Sequence, residues 1–312
     1  QKLLSLDISN FNTNNVVSMA HMFEDCISLK NLSLSNFSTM KVNHMKNMFR
    51  HCSNLVYLNL QNFETENVKD MSRMFENCKS LENLNYDPKK YITKNVENMS
   101  FMFNNCEKLQ NIKLENFSTS NVLYLNNMFQ NCFKLKQLNL SNFNTGKAID
   151  MSYMFHNCES LSELDVSNFN TNNVVDMTHM FSGLKALRKL DVTSFNTEKV
   201  TDMSYMFHNC SSLNNLIVDN FKTEKVLDMS HMFYNCASLT QLHLNSFNAS
   251  KTKDMSYMFY NCNSLTILNI TNFITKDVIN TTHMFYKCSE LDYLFPQMFD
   301  TRNIKDMSSM FE

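Results

Sequence analysis

The chain has 312 residues and carries 28 Lys and Arg against 30 Asp and Glu, with only 2 Gly and 2 Pro. Average usage predicts roughly ten times as many Gly and Pro, which argues against several domains joined by flexible linkers. The net charge of -2 gives no reason to expect nucleic acid or an anionic membrane as a partner. The apolar fraction of 43% is sufficient to build a buried core.

The cysteines recur at a fixed spacing and reveal an internal repeat. Most steps between consecutive cysteines are 26 residues, one step of 28 marks a two-residue insertion, and one double step of 52 is bridged by Leu184 in the same register. A fixed period of this length is the signature of a stacked repeat protein. The column consists of Cys26, Cys52, Cys78, Cys106, Cys132, Cys158, Cys210, Cys236, Cys262 and Cys288.

Each repeat follows the template L-x-x-L-x-L-x-N-F-x-T-x-x-V-x-x-M-x-x-M-F-x-x-C, of which residues 161–184 are a clean copy. The Met-Phe pair occurs in all twelve units, and the two Met columns hold 22 of the 24 methionines. The excess of Met, Phe and Cys therefore belongs to the repeat, and no separate cofactor motif is needed to explain it.

The template changes its period halfway, which predicts a strand followed by a helix. The Leu-x-Leu half, as at Leu58 and Leu60, alternates as a short strand with one buried face does. In the other half Val, Met, Met, Phe and Cys fall within an arc of about 120° on a helix. We expect this helix to begin at the Asp or Asn before the first Met, as at Asp70, with Thr65 as the alternative N-cap. We expect it to end at the Asn before the Cys, such as Asn77, or at Gly183 in the same column, because Asn and Gly both tolerate the left-handed conformation that ends helices.

A unit this small cannot bury both faces alone, so neighbouring units must stack. The predicted fold is an α/β repeat solenoid of about twelve 26-residue units, with a parallel sheet on the concave side and short helices on the convex side. We expect residues 1–312 to form a single repeat solenoid, with an insertion-bearing unit near residues 85–92. Because the chain begins and ends within a repeat without capping units, we expect it to be part of a longer protein.

The repeat resembles a known family. Residues 138–145 (LNLSNFNT) resemble a leucine-rich repeat in which Phe takes the usual Asn position. With residues 150–158 (DMSYMFHNC), the pattern resembles the BspA-like leucine-rich-repeat surface proteins, in the branch first grouped as a mycoplasma family of unknown function. The resemblance covers essentially the whole chain. It implies a right-handed leucine-rich-repeat solenoid on surface proteins of bacteria and some protists, used for adhesion or partner binding, and it brings no catalytic residues.

The cysteines admit three interpretations. On stacked helices they would lie about 8–10 Å apart, beyond the separation of roughly 4.4–6.8 Å between the Cα atoms of a disulfide. Structural zinc sites use close pairs such as C-x-x-C, and the sequence has none. Leu184 in the same column favours a small apolar side chain. We therefore expect buried free thiols, with disulfides and soft-metal binding as the alternatives.

The methionines and histidines are also candidate metal ligands, because thioethers and imidazoles bind copper and zinc. The helical spacing of the Met columns on the Phe-bearing face favours core packing instead. Histidines precede the second Met in four units, where Tyr stands in sister units, so the position is expected to be partly exposed. No G-x-S-x-G, phosphate-binding Gly loop or H-E-x-x-H occurs, so we expect no catalysis, no metal and no cofactor.

Binding residues must therefore lie at positions that the template leaves free. The residue between the last two strand leucines points outward from the sheet and varies from unit to unit, ending at Phe295. Such variation on a rigid scaffold is how solenoids build binding surfaces, although solvation of the sheet alone is the competing interpretation. Asp165 and Asp191 could also hold a cation or a basic partner. The candidates in this column are Asn59, Lys113, Asn139, Asp165, Asp191, His243 and Asn269.

The insertion supplies further candidates, since loops that depart from a regular stack often carry contacts. They are Tyr86, Lys89 and Tyr91, and a tolerated surface insertion is the alternative interpretation.

The sequence thus predicts a non-enzymatic, surface-exposed adhesion module that binds a protein or glycan, possible host molecules included, through its concave face. The alternatives are head-to-tail self-assembly into a fibre and, less favoured, metal sequestration. We expect an extracellular or cell-surface location, no nucleic-acid partner and no membrane insertion in this segment, so that any signal or anchor lies outside it.

Overall fold

The computed structural model describes residues 3–114, 116–271, 273–294 and 299–312. The chain separates into two compact units. The first unit is Gln1–Ala148 with Asn157–Ser160, and the second unit is Ile149–His156 with Leu161–Glu312. Each consists of stacked repeats, and the prediction of a single array remains a prediction.

The Leu-x-Leu segments form short parallel strands, as predicted. In the first unit β1 (Asn31–Ser33), β2 (Tyr57–Leu60) and β3 (Asn83–Tyr86) make one sheet. Its register pairs Leu32 with Leu58 and Leu58 with Leu84. An isolated parallel bridge joins Asn111 to Gln137. Equivalent template positions therefore pair from one repeat to the next.

The second unit repeats this arrangement in two strand pairs. β4 (Lys189–Asp191) pairs with β5 (Asn215–Ile217), and β6 (Gln241–His243) pairs with β7 (Ile267–Asn269), all in parallel. In each strand the central Leu is buried and the residue before it is exposed. This alternation defines the sheet face, the surface formed by the outward positions of the Leu-x-Leu segments.

A second line of parallel bridges runs through the column before the first Met. In the second unit it joins Asp150, Asp176, Asp202, Asp228 and Asp254 in succession. Several of these Asp residues accept, through Oδ1, a hydrogen bond from the backbone N–H two residues later. Asp202 accepts such a bond from Ser204 at 2.9 Å. The column thus forms Asx turns, which is the local hydrogen bonding that Asp favours outside helices.

The predicted short helices are wrong, since the described residues contain no α-helix. In the Met-Phe segment the backbone N–H groups of Met45, Asn47 and Phe49 donate to the next repeat, whereas those of Met48 and Arg50 donate to residues three positions earlier. An α-helix would direct every one of these groups to the residue four positions earlier. The segment is instead a run of tight turns that alternate with bonds between repeats.

Left-handed residues explain why a helix cannot form. Each of the first eleven Met-Phe segments contains one before the second Met and one before the Cys column, as at Arg73 (φ 57°) and Asn77 (φ 60°). A left-handed residue interrupts a right-handed helix. Turns of this kind still bury Met71, Met74 and Phe75, so they produce the same apolar spacing that we interpreted as a helix face.

The part of the chain that the structure describes forms about nine turns of parallel-strand solenoid, fewer than the twelve units predicted. Around Leu6 and Leu164, which the structure describes, no bridge is formed.

The core consists of continuous columns of identical side chains. In the first unit Phe23, Phe49 and Phe75 stack with ring centroids 5.5 and 5.6 Å apart, within the range that aromatic pairs prefer. The buried Thr column meets its hydrogen-bonding needs between repeats, because Thr39 Oγ1 donates to the carbonyl of Glu64 at 2.9 Å and accepts the N–H of the same residue. Buried polar groups of this kind stabilise the stack because they are paired.

Candidate interaction surface

The sheet face of the first unit carries a line of amides. Asn85 Nδ2 donates to Asn59 Oδ1 at 3.1 Å, and Asn59 Nδ2 lies 3.3 Å from Ser33 Oγ. Asn59 Oδ1 also accepts the N–H of Gln61 at 3.1 Å. The predicted binding residue Asn59 therefore has a structural role in linking neighbouring strands.

Lys113 lies beside an open groove on this face, with a volume of about 600 Å³. The groove combines an exposed aromatic side chain, acidic and basic groups and several amides, which suits a polar ligand. Asn139 also lies exposed on the sheet face, where its Oδ1 accepts the N–H of Ser141 at 3.0 Å. The groove is lined by Tyr57, Glu82, Asn83, Leu84, Asn85, Gln110, Asn111 and Lys113.

The sheet face of the second unit begins with exposed carboxylates. Asp165 Oδ1 accepts the hydroxyl of Ser167 at 2.7 Å, and Asp191 Oδ1 accepts that of Thr193 at 2.6 Å. These hydrogen bonds lower the pKa of both carboxyl groups, because they favour the charged form. Both side chains are therefore anionic at neutral pH.

The remaining candidates of the second unit lie further along the same face. Ile217 pairs in register with Asp191 and is 51% exposed. His243 and Asn269 pair with each other in β6 and β7 and are half-buried. Their part in binding stays a prediction, and Phe295 lies outside the described residues.

The insertion does not present both of its tyrosines to a partner. Tyr91 is 1% exposed, and its ring stacks on Phe117 with centroids 5.5 Å apart. The interpretation of Tyr91 as a contact residue is therefore wrong, because its ring fills the slot of the template Phe. Tyr86 is half-buried against Tyr91, with centroids 4.9 Å apart, and Lys89 alone of the three predicted residues is exposed.

Sequence reasoning missed a second outward column. Strand residues alternate between faces, so the residue before the central Leu points outward as well. Tyr57, Lys189 and Ile267 are exposed at this position, and Tyr293 is 70% exposed beside Ile267. The period of two would have identified this column, which doubles the width of the candidate surface.

The ten cysteines are free thiols, buried except for the half-buried Cys288. Cys52 Sγ donates to the carbonyl of Phe23 at 3.1 Å, and the same bond recurs along the column, as from Cys236 to Phe207. Burial raises the pKa of Cys52 to about 12 and that of Cys288 to about 11. The thiolate, which is the form that attacks disulfides or binds metals, is therefore scarce at neutral pH.

Within the described ranges, no three His, Cys, Asp or Glu side chains form a group that could hold a metal ion. A search of the same residues for helices long and apolar enough to cross a membrane finds none. Metal sequestration and head-to-tail assembly were alternatives from the sequence, and both stay predictions.

The parallel strands, the stacked columns and the repeating turns define the class of protein, a leucine-rich-repeat-like solenoid. The family described as "Mycoplasma protein of unknown function, DUF285" matches residues 1–112, 81–190, 183–295 and 263–312. The chain belongs to this family, and the resemblance to BspA-like leucine-rich-repeat proteins is confirmed.

One solved structure supports the fold, and a second is a weaker match. A leucine-rich repeat protein from Bacteroides ovatus ATCC 8483 is 20% identical, with a TM-score of 0.55 over 88% of this chain and 69% of that chain. A leucine-rich repeat protein from Eubacterium ventriosum ATCC 27560 is 15% identical, with a TM-score of 0.41 over 96% and 82% of the two chains. None of the curated proteins matches the sequence.

Proposed function

We propose that the chain is a non-enzymatic interaction module of a surface-exposed protein, which binds a protein or glycan partner through its sheet face. The observation that carries the proposal is the contrast between the two sides of the same strands. Inward positions repeat as buried leucines such as Leu58, whereas the outward neighbours range from Asn59 to Asp191 and Ile217. A constant scaffold with varied outward residues supports recognition rather than stability alone.

The chemistry of the second unit favours a protein partner within this proposal. Its sheet face begins with charged side chains, among them Asp165, Lys189 and Asp191, and continues to the exposed Ile217 and Ile267. Protein interfaces combine an apolar centre with a polar rim. Exposed aliphatic side chains beside ionised carboxylates fit a partner that offers basic and apolar groups together.

The amides of the first unit suit either class of partner. Asn85 and Asn139 offer donors and acceptors on an open face, and Tyr57 supplies an exposed aromatic side chain next to the groove that contains Lys113. Sugar hydroxyls and peptide groups both bind to such a set. We keep the glycan as the second ligand class for this reason.

The proposal places the module outside the cell, where free cysteines are uncommon because thiols oxidise there. The cysteine column resists such oxidation, since its thiols are buried and protonated. The BspA-like resemblance supports the extracellular location that we propose.

The test is a binding screen of the chain against extracellular matrix proteins and a glycan array, followed by measurement of affinity for each hit. The variant Asp165→Asn with Asp191→Asn removes two charges from the sheet face but keeps Oδ1 as the turn acceptor. We expect this variant to lower the affinity for a basic protein ligand at least about tenfold, as loss of charged interface groups commonly does.

The matched control removes the same two charges elsewhere. Glu198 and Glu224 are exposed in turns after the Thr column of the second unit, so Glu198→Gln with Glu224→Gln should leave the affinity unchanged. Equal effects of the two double variants would show that net charge, and not the sheet face, governs binding. A screen without any hit would contradict the adhesion role.

A further inference from the structure

A column of stacked rings distinguishes the second unit. In six successive repeats the residue directly before the second Met alternates between Tyr and His. The ring centroids of neighbours in this set are 4.4, 4.3, 4.3, 4.7 and 4.7 Å apart in succession. The interplanar angles are at most 13°. We call this set the ring ladder, and it consists of Tyr153, His179, Tyr205, His231, Tyr257 and His283.

The backbone sets the spacing of the ring ladder. Each of its residues is left-handed, with φ between 56° and 58°. The N–H of Tyr153 donates to the carbonyl of Thr178 at 2.8 Å, and that of His179 donates to Ser204 at 3.1 Å. Rings that rise from equivalent backbone positions are brought close to the distance between strands, about 4.7–4.9 Å, and the observed spacings of 4.3–4.7 Å agree with this.

A second line of rings covers the ladder from one side. His156 meets His179 edge-on at 5.3 Å, and His208 lies 6.4 Å from His231. Further along, Tyr234, Tyr260 and Tyr286 stack on one another at 4.6 and 4.8 Å. The faces of the four inner ladder rings are occupied by the neighbouring rungs, and edges of the ladder meet the second line of rings.

The imidazoles in this arrangement are poorly solvated. The Nδ1 atoms of His179, His231 and His283 are buried and have no hydrogen-bond partner among the described residues. Burial lowers the pKa of His179 to about 3, with nearby histidines as a secondary cause. Burial likewise lowers the pKa of His156, His208 and His231 to about 4 in each case.

The charged groups that face the ladder are the carboxylates of the Asx-turn column and the neighbouring histidines. The carboxylates of Asp176 and Asp202 interact electrostatically with Tyr153. Those of Asp228 and Asp254 interact in the same way with Tyr205, and Asp254 also interacts with His231. His179 faces His156, His208 and His231, and His283 faces Asp306.

Two carboxylates of the Asx-turn column have the opposite effect on stability in acid to that of the histidines. Burial raises the pKa of Asp150 and Asp228, so these groups take up protons more readily in the folded state and favour it in acid. Four imidazoles with lowered pKa values outnumber them. Because attraction to Asp254 is a secondary influence on His231, burial dominates the balance there.

We propose that the ring ladder makes the second unit an acid-responsive element, in which protonation of His179 and His231 loosens the stacked turns. A histidine with a lowered pKa binds its proton less readily in the folded state than in the unfolded state. The stability that the neutral imidazole contributes is complete above about pH 6.5, which is the pKa of histidine in the unfolded chain. The effect is lost as the pH falls from there toward about 4. The first unit has no counterpart, because its described residues at this position are His21, Asn47, Arg73, Phe101 and Asn127.

The test uses substitutions that the column itself already contains. His179→Tyr with His231→Tyr turns those two rungs into tyrosines, which the same backbone accepts at Tyr205 and Tyr257. Unfolding and hydrogen exchange are measured at pH 7 and pH 4.5. We expect the unfolding equilibrium constant of the second unit to rise about a hundredfold more in the natural chain than in the variant. This corresponds to about one pKa unit for each imidazole, after allowance for partial exposure.

The matched control is His44→Tyr in the first unit. His44 is exposed and belongs to a column in which Tyr124 also occurs, so this variant should keep the pH dependence of the natural chain. The two single variants, His179→Tyr and His231→Tyr, should each remove about half of the effect and serve if the double variant does not fold. The proposal is overturned if natural chain and variants respond equally to acid, or if exchange accelerates first in the first unit.

Discussion

The two units use the same backbone for different surface chemistry. Where the second unit has its ring ladder, the first unit has ion pairs. Arg50 binds Glu24 at 2.9 Å and Glu76 at 2.8 Å, and Arg73 binds Glu76 at 2.9 Å. The hydrogen bond that Arg50 donates to Glu24 is the main reason that the pKa of Arg50 is raised. We call Glu24, Arg50, Arg73 and Glu76 the charged cluster.

The backbone at the two sites is nearly identical. Arg73 in the charged cluster has φ 57°, and Tyr205 in the ring ladder has φ 58°. The N–H of Arg73 donates to Ser100 and that of Tyr205 to Ser230, both at 2.9 Å. The comparison therefore shows that the turn conformation does not depend on the side chain at this position, which is free to carry either a charge or a ring.

The largest expected effect comes from breaking the charged cluster. The Glu76 side chain is 8% exposed and binds two Arg residues. Glu76→Ala leaves both without this partner, and we expect a loss of about 2–3 kcal/mol in the free energy of unfolding. Denaturant unfolding, with hydrogen exchange to locate the effect in the first unit, measures it.

An exposed ion pair of the same unit provides the control. Lys79 and Glu107 lie 3.0 Å apart with side chains 53% and 37% exposed, so Glu107→Ala should cost less than about 0.5 kcal/mol. If the two variants were equally stable, the charged cluster would contribute no more than a surface pair.

The next effect tests the backbone that the units share. Asn77 in the first unit and Asn235 in the second are left-handed, and Gly183 occupies the same column. Replacement by Gly and by Ala removes the same side-chain amide, but only Gly adopts this conformation without steric cost. We expect each Ala variant to be about 1 kcal/mol less stable to denaturant than its Gly partner. A difference confined to one unit would contradict the common backbone.

The sequence was sufficient for the parts of the fold that depend on burial and turn preference. The alternation at Leu58 and the left-handed conformation of Asn77 and Gly183 are as predicted. The helices were not, because the left-handed residue before the second Met is Arg73 in one repeat and Tyr205 in another, and neither residue type favours that conformation. Bonds between repeats impose it, and a single repeat contains no trace of them.

The candidate binding surface was likewise predictable from the sequence only in part. Period-two alternation was enough to predict which column points outward, and it would have been enough for the column of Tyr57 and Lys189. Tyr91 precedes Thr93 by the same step as Phe63 precedes Thr65, so its core position was also readable. The partner was not, because outward residues such as Asn59 are constrained by solubility and by strand-to-strand hydrogen bonds as well as by binding.

The smallest expected effect separates the units by their response to salt. Raising the ionic strength from about 0.1 to 1 M shortens the Debye length from about 10 to 3 Å. The charged cluster is only partly buried, with Arg50 30% exposed, so we expect the first unit to lose about 0.5 kcal/mol of stability. Hydrogen exchange of both units at the two salt concentrations measures the change. The second unit, whose rings are held by stacking, should not lose stability, and Glu76→Ala should reduce the salt response of the first. An equal loss in both units would mean that general charge screening, and not the charged cluster, is responsible.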